Sequence, residues 1–488
     1  MRLNKNIGIM LFSSSLVLNM TSCTDNQKVP APNVKDEIIG DTSITVQDGE
    51  ENNKKNEPVA LTYAVYGEMD REEYQLIKQF NESDNGYVIV TKNYSEIAGA
   101  NENGQVIYDE NKIKAFKMTL MQDMANGEID IVRDLYLGGA ENMDIFSARG
   151  SFVNLYDFMD DDESVNSAIL NEHILKLHEM DGNLYTLPTY FTFNTLIGQT
   201  RYVGSKEGWT LDEFISKWEQ MPEGSTIEGH REKDKIYNTV LYGMIGSFID
   251  YKNATTYFNS PEFKKSLEFC NTFENISNTY VEPNFASPNF VSSKRFFGFA
   301  NTHYELWNEE GESYTFVGYP SNDGCGGFID TRGNRFAICA STTDEERKGA
   351  WEFIKTYCLE DYQKSHYCKL ETIKIGDETK QVYLEPVGFP MNVNVYNQLA
   401  DEAMAGKHME DIITQNGVEI NIGQLTQDEL NRLSNYINSI QNLTSGVDSD
   451  LETIINDEVL GYFNGEKTVE QCIDHIQNRA EIMVSEKQ

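Results

Sequence analysis

The chain has 488 residues, 11% of them aromatic, enough for a large core or two lobes. Asp and Glu number 78 against 40 Lys and Arg, a formal net charge of -38. A field of that sign repels nucleic acid and anionic lipid, so neither is an expected ligand.

At the N-terminus Arg2 and Lys5 precede an apolar stretch over residues 7–18, interrupted by Ser13, Ser14 and Ser15, and Met20, Thr21, Ser22 and Cys23 follow. Charge, a short apolar core and then small residues make a secretory signal, too short to span a bilayer comfortably. A cysteine directly after the small residues resembles a bacterial lipobox. That resemblance implies a signal peptide over residues 1–22, cleavage before Cys23 and a lipid on its sulfur. Residues 24–58 are polar and poor in large apolar side chains, so they bury too little surface to offset the entropy of ordering them. Residues 23–58 are therefore expected to form a lipid-anchored, disordered tether. No long apolar run follows.

The first folded elements alternate. Residues 61–66 read as a strand, and Asp70 with Glu73 reads as a capping box, with Met69 and Tyr74 as its staple. Tyr74, Ile77 and Phe80 are spaced to share a helical face. Residues 87–91 are a second strand, 112–126 a helix and 129–132 a third, buried strand. Alternating β and α elements predict a parallel sheet covered by helices, with ligands bound beyond the carboxyl ends of its strands. The acidic residues 160–163 lack the glycine turn and spacing of a calcium loop and read as solvated surface. Further helix starts are Thr210 with Glu213 (staple Trp209 and Phe214), Ser260 with Pro261, Thr343 with Glu346, Thr426 with Glu429, and Thr468 with Gln471. Residues 295–300 read as a strand.

Cys270, Cys325, Cys339, Cys358, Cys368 and Cys472 show no zinc spacing. A domain of this size does not need staples, so mostly buried thiols are expected, and a Cys358–Cys368 bridge is the alternative. No metal or cofactor is expected. The sequence lacks HExxH, GxSxG and dinucleotide motifs. Gly465-Glu466-Lys467-Thr468 has Glu where a P-loop needs Lys and reads as a turn with an N-cap. Glu305 and Glu309 could mimic a glycosidase pair, but their helical spacing suits a solvated helix face.

Asp181-Gly182-Asn183-Leu184-Tyr185-Thr186-Leu187-Pro188 resembles the DGKLYALP signature of family 1 extracellular solute-binding proteins. Residues 209–214 (WTLDEF), Gly318-Tyr319-Pro320 before a glycine-rich loop, 350–355 (AWEFIK) and 463–470 (FNGEKTVE) are similar to further elements of that family, in the same order. The resemblance implies an α/β, two-lobed, periplasmic-binding-protein-like fold with a hinge and an interlobe cleft. Its first lobe would hold residues 59–190 and 316–356, its second 191–315 and 357–488. It also implies a non-catalytic monomer that captures a mono- or oligosaccharide and delivers it to ABC transporter permease subunits, held on the extracytoplasmic face of the membrane.

A sugar has apolar faces for aromatic rings and a hydroxyl rim for carboxylates and amides. Tyr66 and Glu68 follow the first strand, Asp134 and Tyr136 the third, and by resemblance both loops face the ligand. Tyr190, Phe191 and Thr192 lie at the first crossing, and the second lobe offers Phe248. Where many relatives place a stacking Trp, this chain has His303, with Trp307 one turn beyond, and either faces the cleft. Each aromatic has a core or hinge role as its alternative. Two rival functions remain: the same fold holding a peptide, polyamine or sugar phosphate, and a lipid-anchored glycoside hydrolase or polysaccharide-adhesion protein. A phosphate would want basic groups, and the strand-end loops offer Arg133 and His303.

Overall fold

The computed structural model describes residues 57–486 except 68, 70, 99–109, 135–139, 251–252, 276–287, 300–301, 303–312, 325, 368–369, 376–377, 384–387, 407–411, 416–417, 422–424 and 445–448. The signal peptide and all but the last residues of the expected tether, with Cys23, lie outside the described residues, as do Glu68, Asp70, Tyr136, His303, Trp307, Cys325 and Cys368.

Strand β1 (Val59–Val65) buries Leu61, Tyr63 and Val65 on one face and Ala64 on the other. A strand buried on both faces belongs in the middle of a helix-covered sheet. Helix α1 (Arg71–Glu82) turns Glu73, Ile77 and Phe80 inward and leaves Tyr74 45% exposed. Ile77 and Phe80 thus face inward as expected, but Glu73 takes the place expected of Tyr74, drawn in by the Tyr63 hydroxyl at 2.7 Å. After β2 (Tyr87–Asn93) and α2 (Glu110–Ala125) come β3 (Ile131–Arg133), α3 (Ala140–Ala148) and the two-residue β4 (Leu187–Pro188).

One residue separates β4 from β5 (Tyr190–Gln199), the long strand on which a second sheet is built. Helices α4 (Leu211–Trp218), α5 (Lys233–Tyr242) and α6 (Pro261–Cys270) precede β6 (Ser292–Phe296), β7 (Tyr314–Phe316) and β8 (Phe328–Asp330). Strand β9 (Arg335–Ile338) returns to the first sheet. Then follow α7 (Asp344–Ile354), α8 (Glu360–Tyr367), β10 (Phe389–Pro390), α9 (Val393–Met404), α10 (Gln427–Ser439), β11 (Asn442–Leu443), α11 (Ser449–Phe463) and α12 (Val469–Glu486).

The first sheet runs β2-β1-β3-β9-β4, with β1 parallel to β2 and β3, and β9 antiparallel to β3 and β4. The second runs β6-β5-β8-β11, and β7 and β10 also pair with β5. A core under α2 and α3 covers one face of the first sheet. The other face shares a continuous core with Phe193, Ile197, Phe296 and Phe316 of the second sheet. Helices α4, α5, α6, α11 and α12 close a third core on the far face of the second sheet.

The expected caps form. Thr210, Thr343 and Thr426 each make a complete capping box. Thr468 and Gln471 exchange bonds of 2.9 and 3.2 Å, and Ser260 caps α6 with Pro261 at its first position. Trp209 meets Phe214 edge-on with ring centroids 5.0 Å apart. Cys270, Cys339, Cys358 and Cys472 are buried free thiols. Burial pushes the Cys472 thiol up to about 12, so it stays protonated.

Three expectations need correction. Strands β7 and β8 bond to β5, so residues 314–330 belong with the second sheet, and the chain recrosses only at residues 331–334. The strand read over residues 295–300 ends at Phe296, where Gly298 and Phe299 turn the chain. Within the acidic run, Asp162 is no idle surface charge. It accepts from Trp351 Nε1 (2.9 Å), Lys355 Nζ (2.8 Å), and Ser164 N (2.8 Å) and Oγ (2.6 Å). Burial would raise its pKa, but Lys355, Ser164 and Trp351 outweigh that and hold it below the usual carboxylate range.

Candidate functional site

The chain passes between the sheets at Thr189 and again at residues 331–334. The two passages are tied together: Thr189 N donates to Asn334 O at 2.9 Å, and its hydroxyl does so at 3.2 Å. A third segment joins them where β10 pairs with the start of β5. Gln363, 1% exposed, fastens the set. Its amide donates to Thr189 O (2.7 Å) and Tyr357 O (3.0 Å), and its oxygen accepts from Asn392 N (2.9 Å). Partly buried His178 sits 3.0 Å from the Thr331 hydroxyl; burial and Arg335 push its imidazole well down, toward the neutral form.

Around this junction the carboxyl edge of the first sheet is held by two ion networks, one per face. On one face Asp134 accepts from Arg335 N (3.0 Å) and Nε (2.9 Å), and Arg335 also reaches Asp144 at 2.8 Å. Burial works against the Arg335 charge, but Asp144 and Asp134 outweigh it and raise its pKa; the pair is ionic. On the other face Arg133 donates to Glu73 at 3.1 Å, and its guanidinium lies 5.2 and 5.9 Å from the ring centroids of Phe336 and Tyr357. Beside it, Glu73, Arg133, Tyr190, Tyr357, Gln363 and His366 are among the residues lining a cavity of about 170 Å³.

These contacts sort the predicted site residues. Tyr190, at the crossing, is half-buried; a Cβ at Gly388 would fall 2.2 Å from its ring, so glycine is required there. Its hydroxyl pKa is raised, chiefly by burial, while Arg133, Asn334 and Arg295 oppose the rise. Tyr190 therefore has neighbours from both sheets. Tyr66 also lies at the first-sheet rim, half-buried, with one face stacked on Phe116 at 4.9 Å.

Asp134, expected at a ligand-facing loop, has its carboxylate fully enclosed and engaged by Arg335. Phe191 and Phe248 are core residues, 0% and 2% exposed, packed against Phe389 and against Phe258 and Phe263. Both are walled by other rings and offer no free face. Thr192 is likewise buried, its hydroxyl between Asp330 O (3.4 Å) and Arg295 Nε (3.3 Å). Arg133, the expected basic group of the strand-end loops, is engaged by Glu73.

Sequence reading missed the second-sheet side of the junction. Asp330 is buried and takes Arg332 in two bonds of 2.9 and 2.7 Å. Burial would raise the Asp330 pKa, but Arg332 and then Arg295 hold it low, so it is ionised. Half-buried Tyr242 lies near Arg332, Thr444 and Asn194, its pKa raised by burial. The arrangement can hold a small polar molecule between partly exposed tyrosines and a rim of guanidinium, carboxylate and amide groups. Among the described residues no cluster of His, Cys, Asp and Glu fit for a metal ion is present. No described helix is long and apolar enough to cross a membrane.

Residues 75–374 match the family described as bacterial extracellular solute-binding protein. No curated protein matches the sequence. Among solved structures, the sugar-binding protein MalE from Xanthomonas citri is similar at a TM-score of 0.50 and 12% identity, over 88% of this chain and 98% of that one. A family 1 extracellular solute-binding protein from Alicyclobacillus acidocaldarius is similar at 0.49 and 13%, over 88% and 99%. An ABC transporter solute-binding protein from Agrobacterium radiobacter, in complex with ribitol, is similar at 0.47 and 16%, over 87% and 98%. At these identities the likeness to the Xanthomonas citri protein is one of fold: the two-lobed periplasmic solute-binding architecture.

Proposed function

This chain belongs to the bacterial extracellular solute-binding protein family, and from that membership we propose that it captures a carbohydrate between its two sheets and delivers it to an ABC importer. The observation that carries the reading is the junction at Tyr190. It has neighbours from both sheets, and the crossings at Thr189 and residues 331–334 are the hinge about which two lobes close. The lobes are best divided there, with residues 314–330 assigned to the second. Tyr66, Tyr190 and Tyr242 supply rings for the apolar faces of a sugar, and Asn194, Asp330 and Arg332 supply bonds for its hydroxyl rim. The name of the similar Xanthomonas citri protein, a sugar-binding protein, supports the same ligand class.

Family members bind solutes, so the site is read as one that saturates without turning its ligand over. The signal-like N-terminus and Cys23 support a lipid anchor on the extracytoplasmic face of the membrane. The test is a panel of mono- and oligosaccharides read by thermal unfolding of the purified chain. At a hundred times its Kd a ligand stabilises the folded state by about 2.7 kcal/mol. Small-angle scattering with that ligand should show compaction. No stabilisation by any carbohydrate, or release of hydrolysis products from an oligosaccharide, refutes the proposal.

A further inference from the structure

Strand register fixes a basic patch beside the crossing. Arg295 on β6 stands opposite Asn194 of β5, and Asp330 on β8 stands opposite Thr192 of β5. Residues opposite one another in a ladder share a face, as do residues two apart on one strand. Arg295, Asn194, Thr192 and Asp330 therefore occupy one face, spanning two strand spacings, about 10 Å. Arg332, from the crossing turn, is clamped on Asp330 at its edge.

The charges in this patch do not cancel. Asp330 is matched by Arg332. Arg295 is exposed, and its Nε donates to the Thr192 hydroxyl at 3.3 Å. Among the described residues no carboxylate lies within ion-pair distance of it. Its Nε is anchored, and among the described residues its terminal amines make no ion pair. Asp330 feels the Arg295 charge but makes its ion pair with Arg332, so among the described residues no carboxylate makes a direct ion pair with Arg295. A guanidinium fork matches the planar pair of oxygens of a carboxylate, or two oxygens of a phosphate, in a way that single sugar hydroxyls do not.

We propose that the captured solute is an acidic carbohydrate, one bearing an oxyanion such as a uronate carboxylate or a phosphate. Arg295 receives that oxyanion with Arg332 beside it, while Tyr190, Tyr242 and Asn194 hold the sugar. The inference rests on the carbohydrate reading above and narrows it.

Titration calorimetry on the purified full chain compares matched pairs: a hexuronate oligosaccharide and a hexose phosphate, each against its neutral counterpart. The acidic member of at least one pair should bind about ten- to a hundredfold more tightly, the range expected when charge-assisted bonds replace neutral ones. Which pair shows the preference separates carboxylate from phosphate. Arg295→Gln should remove that preference, and circular dichroism should show the fold retained. Arg295→Lys, which keeps the charge and loses the fork, should retain only part of it. Neutral sugars bound as tightly as acidic ones, or an acidic preference that survives Arg295→Gln, would overturn the proposal and leave carbohydrate capture standing. Failure of every carbohydrate, neutral or acidic, would bring down both.

Discussion

Gln363 holds together the segments on which any hinge motion must turn. Replacing it by Leu keeps its approximate volume and removes all three of its hydrogen bonds: to Thr189 O, to Tyr357 O and from Asn392 N. Asn392 is 0% exposed and Gln363 1%, so water does not replace the lost partners without local opening. A buried polar group stranded in this way costs about 1–3 kcal/mol. With Asn392 N and Thr189 O as the two main losses, and a small apolar gain from Leu, the net is about 2–5 kcal/mol. Urea unfolding followed by tryptophan fluorescence should show that loss as a lower midpoint with an unchanged slope. Gln363→Glu is the informative companion. One carboxylate oxygen can still accept from Asn392 N, but the other faces two carbonyls unless it is protonated. Its folded-state pKa should be raised, so the variant should be weakest near neutrality and recover as pH falls below the raised value. A loss under about 0.5 kcal/mol for Gln363→Leu, the ordinary range for a surface change, would refute the view that this side chain fastens the crossings.

Asp162→Asn should destabilise the chain by about 1–3 kcal/mol at neutral pH through loss of charge-assisted bonds to Lys355 and Trp351. Because the folded-state pKa of Asp162 is depressed, that contribution is complete above the ordinary Asp pKa and fades as pH falls through the depressed value. Wild type and variant melting temperatures should therefore converge in acid, and a gap that persists there would count against the ionic account. Cys23→Ala should abolish incorporation of labelled fatty acid into the protein in cells that express it; labelling that persists in the variant would exclude lipidation at that residue.

Local chemistry was the legible part of this fold. A Thr three residues before Glu or Gln specifies a helix start within one turn of chain, and each described instance forms. The βαβ opening was equally local. Glu73 shows where that reasoning stops. Two helical spacings linked Tyr74 to Ile77 and Phe80 on the inner face, yet the third residue buried with Ile77 and Phe80 is the carboxylate Glu73. What draws it in is the hydroxyl of Tyr63 and the guanidinium of Arg133, which the sheet brings to it from 10 and 60 residues away. Asp134 and Asp162 were misread for the same reason. Each is paired with a cation about 200 residues distant, and no pattern within a window of 18 residues contains that partner.

The face proposed to bind the solute was hidden for a further reason, which concerns register. Within its own strand, Ser292–Phe296, Arg295 is an ordinary exposed polar residue beside a buried Phe296. Its meaning comes from standing opposite Asn194, on the same face as Asp330, across strands that are about 100 and 35 residues away. A slip of one residue between β6 and β5 would turn Arg295 to the core side and bring Phe296 outward. The register resists that slip because Phe296 stacks on Phe193, with ring centroids 4.8 Å apart, and meets Phe316 edge-on. The same aromatic core that made Phe191 look like a ligand contact thus decides which face Arg295 occupies. If the proposed face binds an acidic solute, core packing and ligand charge are linked through strand pairing, and a variant that weakens the Phe193–Phe296 contact should disturb that binding without touching a single group on the proposed face.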